Sequence, residues 1–115
     1  MATLTTQSIT RAGVAPTYAS ATGGGDACEC GDDIFLQVKN ASGGSITVTI
    51  AIPSGASTYA NVAYTNTAVS VPATTGDRMI GPISSLYKDA TTGLATITYS
   101  GVTSLTVGCF KLQAP

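Results

Sequence analysis

Residues 34–53 contain two alternating runs of apolar and polar residues, joined by a short polar turn. In the second run every even-numbered residue from 46 to 52 is Ile or Val, and the residues between them are Thr or Ala. Alternation with a period of two is typical of a half-buried strand. The first run alternates in the same way from Ile34 to Lys39, and the residues from Asn40 to Gly44 suit a turn. The sequence therefore predicts a β-hairpin, with an inert polar face, that holds the segments on either side of it.

A second pair of strands is predicted near the C-terminus. Residues 94–100 and 104–111 both alternate, and a turn-forming segment separates them, so we expect another hairpin. Shorter strands are expected near residues 5–10, 61–64, 69–71 and 78–83. Pro72, Pro82 and Lys39 are candidates for protecting sheet edges. With no apolar stripe of helical period, we predict an all-β fold, a small antiparallel β-sandwich or barrel of about six to seven short strands with an extended N-terminal arm.

The chain has 115 residues, the size of one domain. Residues 1–33 differ from the rest, and we interpret them as an N-terminal arm and an acidic Gly-rich loop that precede a β-domain at 34–115. Two interpretations of the arm stay open: a frayed terminus, or a segment ordered by a partner. In the second case, six arm residues are candidate contacts: Leu4, Ile9, Arg11, Val14, Pro16 and Tyr18. Tyr59 and Tyr64, in the polar segment 54–68, form a second group of candidate partner contacts, in a loop rather than the arm. Tyrosine rings are common at interfaces.

The composition argues against several functions. The chain has no histidine, so the commonest general base and metal ligand is missing. Its five basic residues are scattered and the net charge is −1, which does not favour nucleic-acid binding. No phosphate-binding loop, catalytic carboxylate pair or cofactor motif is apparent, so we expect no enzyme. No apolar run approaches the ~20 residues of a membrane helix, and the first residues do not resemble a signal peptide, so we expect synthesis in a cytosol.

The segment Asp26–Asp33 is the most unusual chemically, with four acids and two cysteines. As a calcium loop its spacing does not fit the EF-hand pattern. As a zinc site, Cys28, Cys30 and Cys109 would need a carboxylate as fourth ligand. The plainer interpretation is an exposed acidic loop before the first strand, with one cysteine facing the core. A disulfide from Cys28 or Cys30 to Cys109 is also open, although we expect free thiols in a reducing cytosol.

Taken in order, several short segments resemble the small minor capsid or decoration proteins of tailed bacteriophages. The segments are 9–13, 16–18, 25–26, 35–40, 48–50, 71–73, 76–77, 81–82, 97–100 and 102–105. The resemblance covers most of the chain, although each segment alone is unspecific. Cys28 and Cys30 depart from the pattern.

This resemblance implies a structural virion protein that binds the outside of an assembled capsid and reinforces it. The expected partner is the lattice of the major capsid protein, and such proteins are often homo-oligomers, including trimers at local threefold positions. Neither nucleic acid nor membrane is an expected partner, and no cofactor is expected. The alternative is a tail-associated or adhesin-like β-module that binds a host surface ligand.

Overall fold

The computed structural model describes residues 2–52, 58–59, 62–63, 66–89 and 91–112. These residues form twelve strands and one short 3₁₀ turn at Ser85–Tyr87. In chain order the strands are Ala2–Thr3 (β1), Thr6–Ile9 (β2), Ala19–Ser20 (β3), Asp26–Cys28 (β4), Ile34–Asn40 (β5), Ile46–Ala51 (β6), Thr58–Tyr59 (β7), Val62–Ala63 (β8), Thr67–Val71 (β9), Gly76–Ile80 (β10), Ala95–Tyr99 (β11) and Leu105–Leu112 (β12). The protein is therefore all-β, as the alternating runs predicted.

Most strands belong to two mixed sheets. The first sheet has the order β1-β4-β11-β6-β9, and the second has the order β10-β5-β12-β2, with β3 also pairing with β12. The pairs β1–β4 and β2–β12 are parallel, and the other pairs in these sheets are antiparallel. A separate small ladder joins β7 to β8. Pro72 follows β9 and Pro82 follows β10, both edge strands, whereas Lys39 lies on β5 between two neighbours and protects no edge.

Both predicted hairpins are wrong, although all four strands exist. Strand β5 lies in the second sheet and β6 in the first, and likewise β12 and β11 lie in different sheets. Each turn therefore carries the chain from one sheet to the other. The alternating pattern only requires that one face of each strand be buried, and strands in two sheets that share a core satisfy this as well as hairpin partners do.

The segment predicted to be an arm contributes strands to both sheets. Strands β1 and β4 pair in the first sheet, and β2 and β3 pair with β12 in the second. Only β2 coincides with a strand expected from the sequence. These short strands show little alternation of apolar and polar residues, so the local sequence does not predict them. They form by pairing with strands from distant parts of the chain.

One hydrophobic cluster contains residues from both sheets. Alternate residues of β5 are buried, from Ile34 to Asn40, and those of β6 are buried in the same way. The cluster joins them to Leu105, Val107 and Cys109 of β12 and to residues of β4 and β11. The burial of these side chains supplies the main driving force for folding.

Candidate binding surface

The face of the second sheet that points away from the core carries a run of apolar side chains. On β5 and β12, Phe35 and Phe110 are register partners, and their rings stack with centroids 5.7 Å apart. Met79 on the neighbouring edge strand is 68% exposed, and Leu112 at the end of β12 is 60% exposed. Clusters of large exposed hydrophobic residues are uncommon on monomers and often mark binding sites.

Two shallow cavities shape this surface. One, of about 210 Å³, is lined by Ile9, Val14, Pro16, Phe35, Gln37, Met79 and Phe110. The other, of about 370 Å³, is lined by Asp32, Asp33, Ile34, Phe35, Met79, Ile80, Gly81, Pro82 and Leu112. Because Phe35 and Met79 line both cavities, the surface is continuous. We call the residues Ile9, Val14, Pro16, Phe35, Met79, Pro82, Phe110 and Leu112 the apolar face.

Three of the six candidate arm residues, Ile9, Val14 and Pro16, lie together on the apolar face. Leu4 does not, because its side chain is only 6% exposed and belongs to the core. The expectation that Leu4 inserts into a groove of a neighbour is therefore wrong. Arg11 is exposed but lines neither cavity of the face.

Tyr18 supports the apolar face from its border. Its ring packs edge-on against Phe110 with centroids 6.0 Å apart, and its hydroxyl donates a 2.8 Å hydrogen bond to Gln37 Oε1. Lys39 Nζ lies over the ring, 4.3 Å from its centroid. With these partners inside the chain, Tyr18 is held in place and positions Phe110, rather than projecting freely.

A glycine on the outer face of β12 allows the preceding segment to cross the sheet. A Cβ atom on Gly108 would lie 2.9 Å from the Phe110 ring and 3.1 Å from the Thr17 carbonyl oxygen. A side chain there would displace this crossing, and the segment is also tied to β2 because the Gln7 amide donates to the Thr17 carbonyl at 2.8 Å. The border of the apolar face is thus fixed by the close approach of Thr17 to Gly108 and by the hydrogen bond from Gln7.

Of the two tyrosines predicted as contacts in segment 54–68, only the backbone of Tyr59 lies within the described residues. Tyr59 lies in β7, which pairs with β8. Tyr64 lies outside the described residues, and so does most of the loop expected there. Their assignment as partner contacts stays a prediction.

The acidic segment is not one exposed loop. Asp26 and Cys28 lie in strand β4 and have no solvent exposure, whereas Glu29, Asp32 and Asp33 are exposed. Within the described ranges, no group of three or more His, Cys, Asp or Glu side chains is placed to hold a metal ion. The interpretation as an exposed loop is wrong for residues 26–28, because β4 is a buried interior strand between β1 and β11.

Asp26 anchors a buried polar contact of the first sheet. Its Oδ2 atom accepts hydrogen bonds from the Tyr99 hydroxyl at 2.7 Å and from the Thr22 amide at 3.3 Å. Its Oδ1 atom is buried without a hydrogen-bond partner among the described residues. Burial, followed by the hydrogen bond to Asp26, raises the pKa of Tyr99 well above its usual value, so the phenol keeps its proton in the folded protein.

The raised pKa of Tyr99 predicts a loss of stability in alkali. Above pH about 10 an unfolded chain releases this proton while the folded chain retains it, so the free energy of unfolding falls as pH rises. The slope for one group is at most about 1.4 kcal/mol per pH unit. Partial exposure of the ring limits the pKa shift, and therefore the pH range over which this slope applies. Tyr99→Phe should therefore show a shallower decline than the wild type when urea unfolding is measured at pH 9, 10 and 11. Cys28, whose pKa is also raised, contributes a slope of the same sign in both proteins. Equal slopes would contradict the prediction.

The three cysteines are free thiols that share one region of the core. Cys28 on β4 and Cys109 on β12 are fully buried in the core that the two sheets share, and Cys30 is half-buried. The interaction between the two thiols raises the pKa of Cys28 and lowers the pKa of Cys109. Burial raises the pKa of Cys30. The expectation of free thiols is confirmed in this structure.

Sequence reasoning missed most of the residues that form the apolar face. Phe35 was assigned to the polar face of its strand, because Gln37 and Lys39 lie on that same face. Met79, Phe110 and Leu112 were not singled out at all. The available signal was that Phe35 and Phe110 lie on the strand faces opposite the core cluster. Phe110 is nevertheless only 3% exposed, because Phe35 and Tyr18 pack against its ring.

No known family model, curated protein or solved structure matches this chain. Among the described residues, no helix is long and apolar enough to cross a membrane. The fold and surface together describe an all-β protein of two mixed sheets, one of which presents an exposed apolar face.

Proposed function

We propose that this chain is a structural virion protein, a β-sandwich that binds the outside of an assembled phage capsid and reinforces it. The apolar face is the observation that carries the proposal, because it offers an exposed hydrophobic surface on a rigid sheet. The segmental resemblance to decoration proteins, given above, supplies the partner: the lattice of the major capsid protein. The proposed location is the capsid exterior, after synthesis in the host cytoplasm.

The apolar face has the properties that a protein-binding surface needs. Aromatic side chains and methionine are enriched at interfaces, and the face presents Phe35 and Met79, with the buried Phe110 packed against Phe35. The two phenylalanines are held by stacking and by Tyr18, so binding them costs little conformational entropy. Asp32 and Asp33 line one end of the surface, so a complementary partner would place basic groups there.

Binding to an assembled lattice would be stronger than any one of its contacts, because several weak contacts form together. A binding site formed by two neighbouring capsid subunits engages both at once, and the second contact then forms at a high effective concentration. Homo-oligomers, including trimers, would bring several apolar faces to one position and increase this effect. A decoration protein of this kind would prefer assembled shells to separate capsid subunits.

This preference is the test of the proposed function. The purified chain is mixed either with empty shells or with unassembled coat subunits from the virus that encodes it, and bound protein is measured by cosedimentation and by size-exclusion chromatography. Binding to shells at least about tenfold tighter than to free subunits would support the proposal. Absence of binding to shells, or equal affinity for free subunits, would overturn it.

The structure changes how the arm hypothesis can be tested. Deleting residues 2–20 would remove Leu4 from the core and strands β1, β2 and β3 from the sheets, so loss of binding would follow from unfolding alone. Point substitutions of exposed residues on the apolar face are the appropriate test, because they leave the core intact.

A further inference from the structure

A third cavity lies where the N-terminal strands join the two sheets. It has a volume of about 190 Å³, and its lining includes residues of β1, β3 and β4 together with Val107, Gly108 and Cys109 of β12. Because β1 and β4 belong to the first sheet and β3 and β12 to the second, both sheets bound this cavity. It shares no lining residue with the two cavities of the apolar face and is therefore a separate feature.

The side chain of Asp26 faces this space from the first sheet. Asp26 and Ile97 are antiparallel register partners, so their side chains lie on the same face of the sheet. Ile97 is fully buried in the hydrophobic cluster that both sheets share, and that face therefore points toward the second sheet. Asp26 lines the cavity and has no solvent exposure. Its carboxylate is thus a buried acidic group at the inner wall of the cavity.

The groups that contact this carboxylate among the described residues are neutral. The Tyr99 hydroxyl donates to Oδ2 at 2.7 Å and the Thr22 amide at 3.3 Å, whereas Oδ1 is buried without a hydrogen-bond partner in the described part of the chain. None of the chain's five basic residues, all of which are described, lines the cavity. A buried carboxylate without a counter-charge is costly, and buried charges in proteins are therefore paired or bound to a metal ion.

The rest of the lining suits a hard cation with a single charge. Besides Asp26, it includes Thr3, Thr5, Thr17 and Ser20, whose hydroxyl and carbonyl oxygens are the kind of ligand that hard cations prefer. One carboxylate balances one positive charge. Within the described ranges no group of three or more His, Cys, Asp or Glu side chains is placed to hold a metal ion, which argues against a divalent or transition metal.

We propose that this cavity binds a monovalent alkali cation, with Asp26 Oδ1 as its anionic ligand and oxygen atoms of the threonine and serine residues as its neutral ligands. Since Oδ1 is buried, the cation binds there with most of its hydration shell removed. Mg²⁺ gives up its hydration shell reluctantly, so the site also disfavours that ion. Strands β1 and β3 beside the cavity are two residues long, so few backbone hydrogen bonds oppose the entry of an ion.

The bound cation would hold the N-terminal strands against the core. Its ligands come from β4 and from the segments around β1 and β3, so the folded chain binds the ion and the unfolded chain does not. Binding therefore stabilises the folded state by mass action. The site does not rest on the proposed function, because Asp26 faces the shared core and the apolar face lies on the outer side of the second sheet.

Thermal unfolding of the full chain in different chloride salts tests the proposal. The midpoint is measured by circular dichroism at equal ionic strength in LiCl, NaCl, KCl, RbCl and N-methylglucamine chloride, whose organic cation is far larger than an alkali ion. We expect a saturable rise of at least about 3 °C in one or more alkali salts relative to N-methylglucamine chloride. Asp26→Asn keeps the size of the side chain but removes its charge, so its midpoint should agree within about 1 °C in all five salts.

The matched control is Asp32→Asn, which makes the same chemical change at an exposed residue that lines another cavity. This variant should respond to the salts as the wild type does. Crystals soaked in the alkali chloride that gives the largest rise should show an ion bound to Asp26 Oδ1 and to several further oxygen atoms.

Three results would overturn the proposal. One is a wild-type midpoint that is equal in all five salts. Another is a cation-dependent rise that Asp26→Asn retains, which would place the ion elsewhere. The third is a crystal structure that shows only water beside Asp26 Oδ1. If Asp26→Asn fails to fold, the wild-type midpoints and the soaked crystals still decide the question.

Discussion

Replacing Asn40 with alanine is expected to lower the free energy of unfolding by about 2–4 kcal/mol. The Asn40 side chain is 1% exposed, and its amide donates to the carbonyl oxygens of Gly44 at 2.9 Å and Val71 at 3.1 Å. Its own oxygen accepts from the Ser42 amide at 2.9 Å and from the Ser42 hydroxyl. Alanine would remove the amide donor from the buried Val71 carbonyl, whereas the exposed Gly44 carbonyl keeps the Ser42 hydroxyl as a donor at 2.9 Å. An unpaired buried polar group is costly.

This effect is large because Asn40 holds together parts of both sheets. The residue ends β5 of the second sheet, and the Val71 carbonyl that it binds belongs to β9 of the first. The neighbouring turn is also linked to two others, since Ala41 donates to the Ser104 carbonyl at 3.0 Å and Thr74 to the Ser42 carbonyl at 2.8 Å. The turn that follows β5 is thus fixed by contacts that a hairpin turn would not need.

Urea unfolding monitored by circular dichroism measures the change, with Ser42→Ala as the matched control. That variant removes one hydroxyl but keeps the backbone amide that binds Asn40, so it should cost only about 0.5–1.5 kcal/mol. A wild-type midpoint and slope in Asn40→Ala would contradict the role given to this side chain. Equal losses in the two variants would show that the hydroxyl, not the amide, carries the contact.

The strands were predictable from sequence because their signal is local. Residues 34–40 and 46–51 alternate strictly, and the structure buries their alternate side chains. The pairing of these strands was not predictable, since the same alternation suits a hairpin and a crossing between sheets. Asn40 was the informative residue, because it lies on the same strand face as Ile34, Leu36 and Val38, which are buried. A buried side-chain amide at a turn requires hydrogen-bond partners from elsewhere in the fold.

The candidate site was predicted in part for a related reason. Ile9, Val14 and Pro16 stood out because apolar residues in a segment without alternation have no evident place in a core. The same reasoning failed for Leu4, whose burial depends on its position between β1 and β2, each pairing with a different sheet. Phe35 and Phe110 meet only through the register of β5 and β12, and no local pattern specifies that register.

Introducing lysine into the apolar face is expected to weaken binding to assembled shells by at least about tenfold per substitution. The test uses Met79→Lys and Leu112→Lys singly, because these are the two most exposed large hydrophobic residues of the face. Both lie away from the core cluster, so the fold should persist. Each lysine removes apolar contact area and places a charge where a partner would exclude water, and an unpaired charge in that setting is unfavourable.

The matched control is Leu86→Lys, which makes the same chemical change at a residue that is 43% exposed but lines neither cavity of the face. Its affinity for shells should stay within about threefold of the wild type, since an exposed charge outside an interface contributes little. Thermal unfolding of all three variants establishes that they are folded before binding is compared. If Met79→Lys and Leu112→Lys bind shells as tightly as Leu86→Lys does, the apolar face is not the contact surface. Because all three substitutions add one positive charge, a general electrostatic effect would change the affinity of all three variants for shells equally. Only a local contact would make their affinities differ.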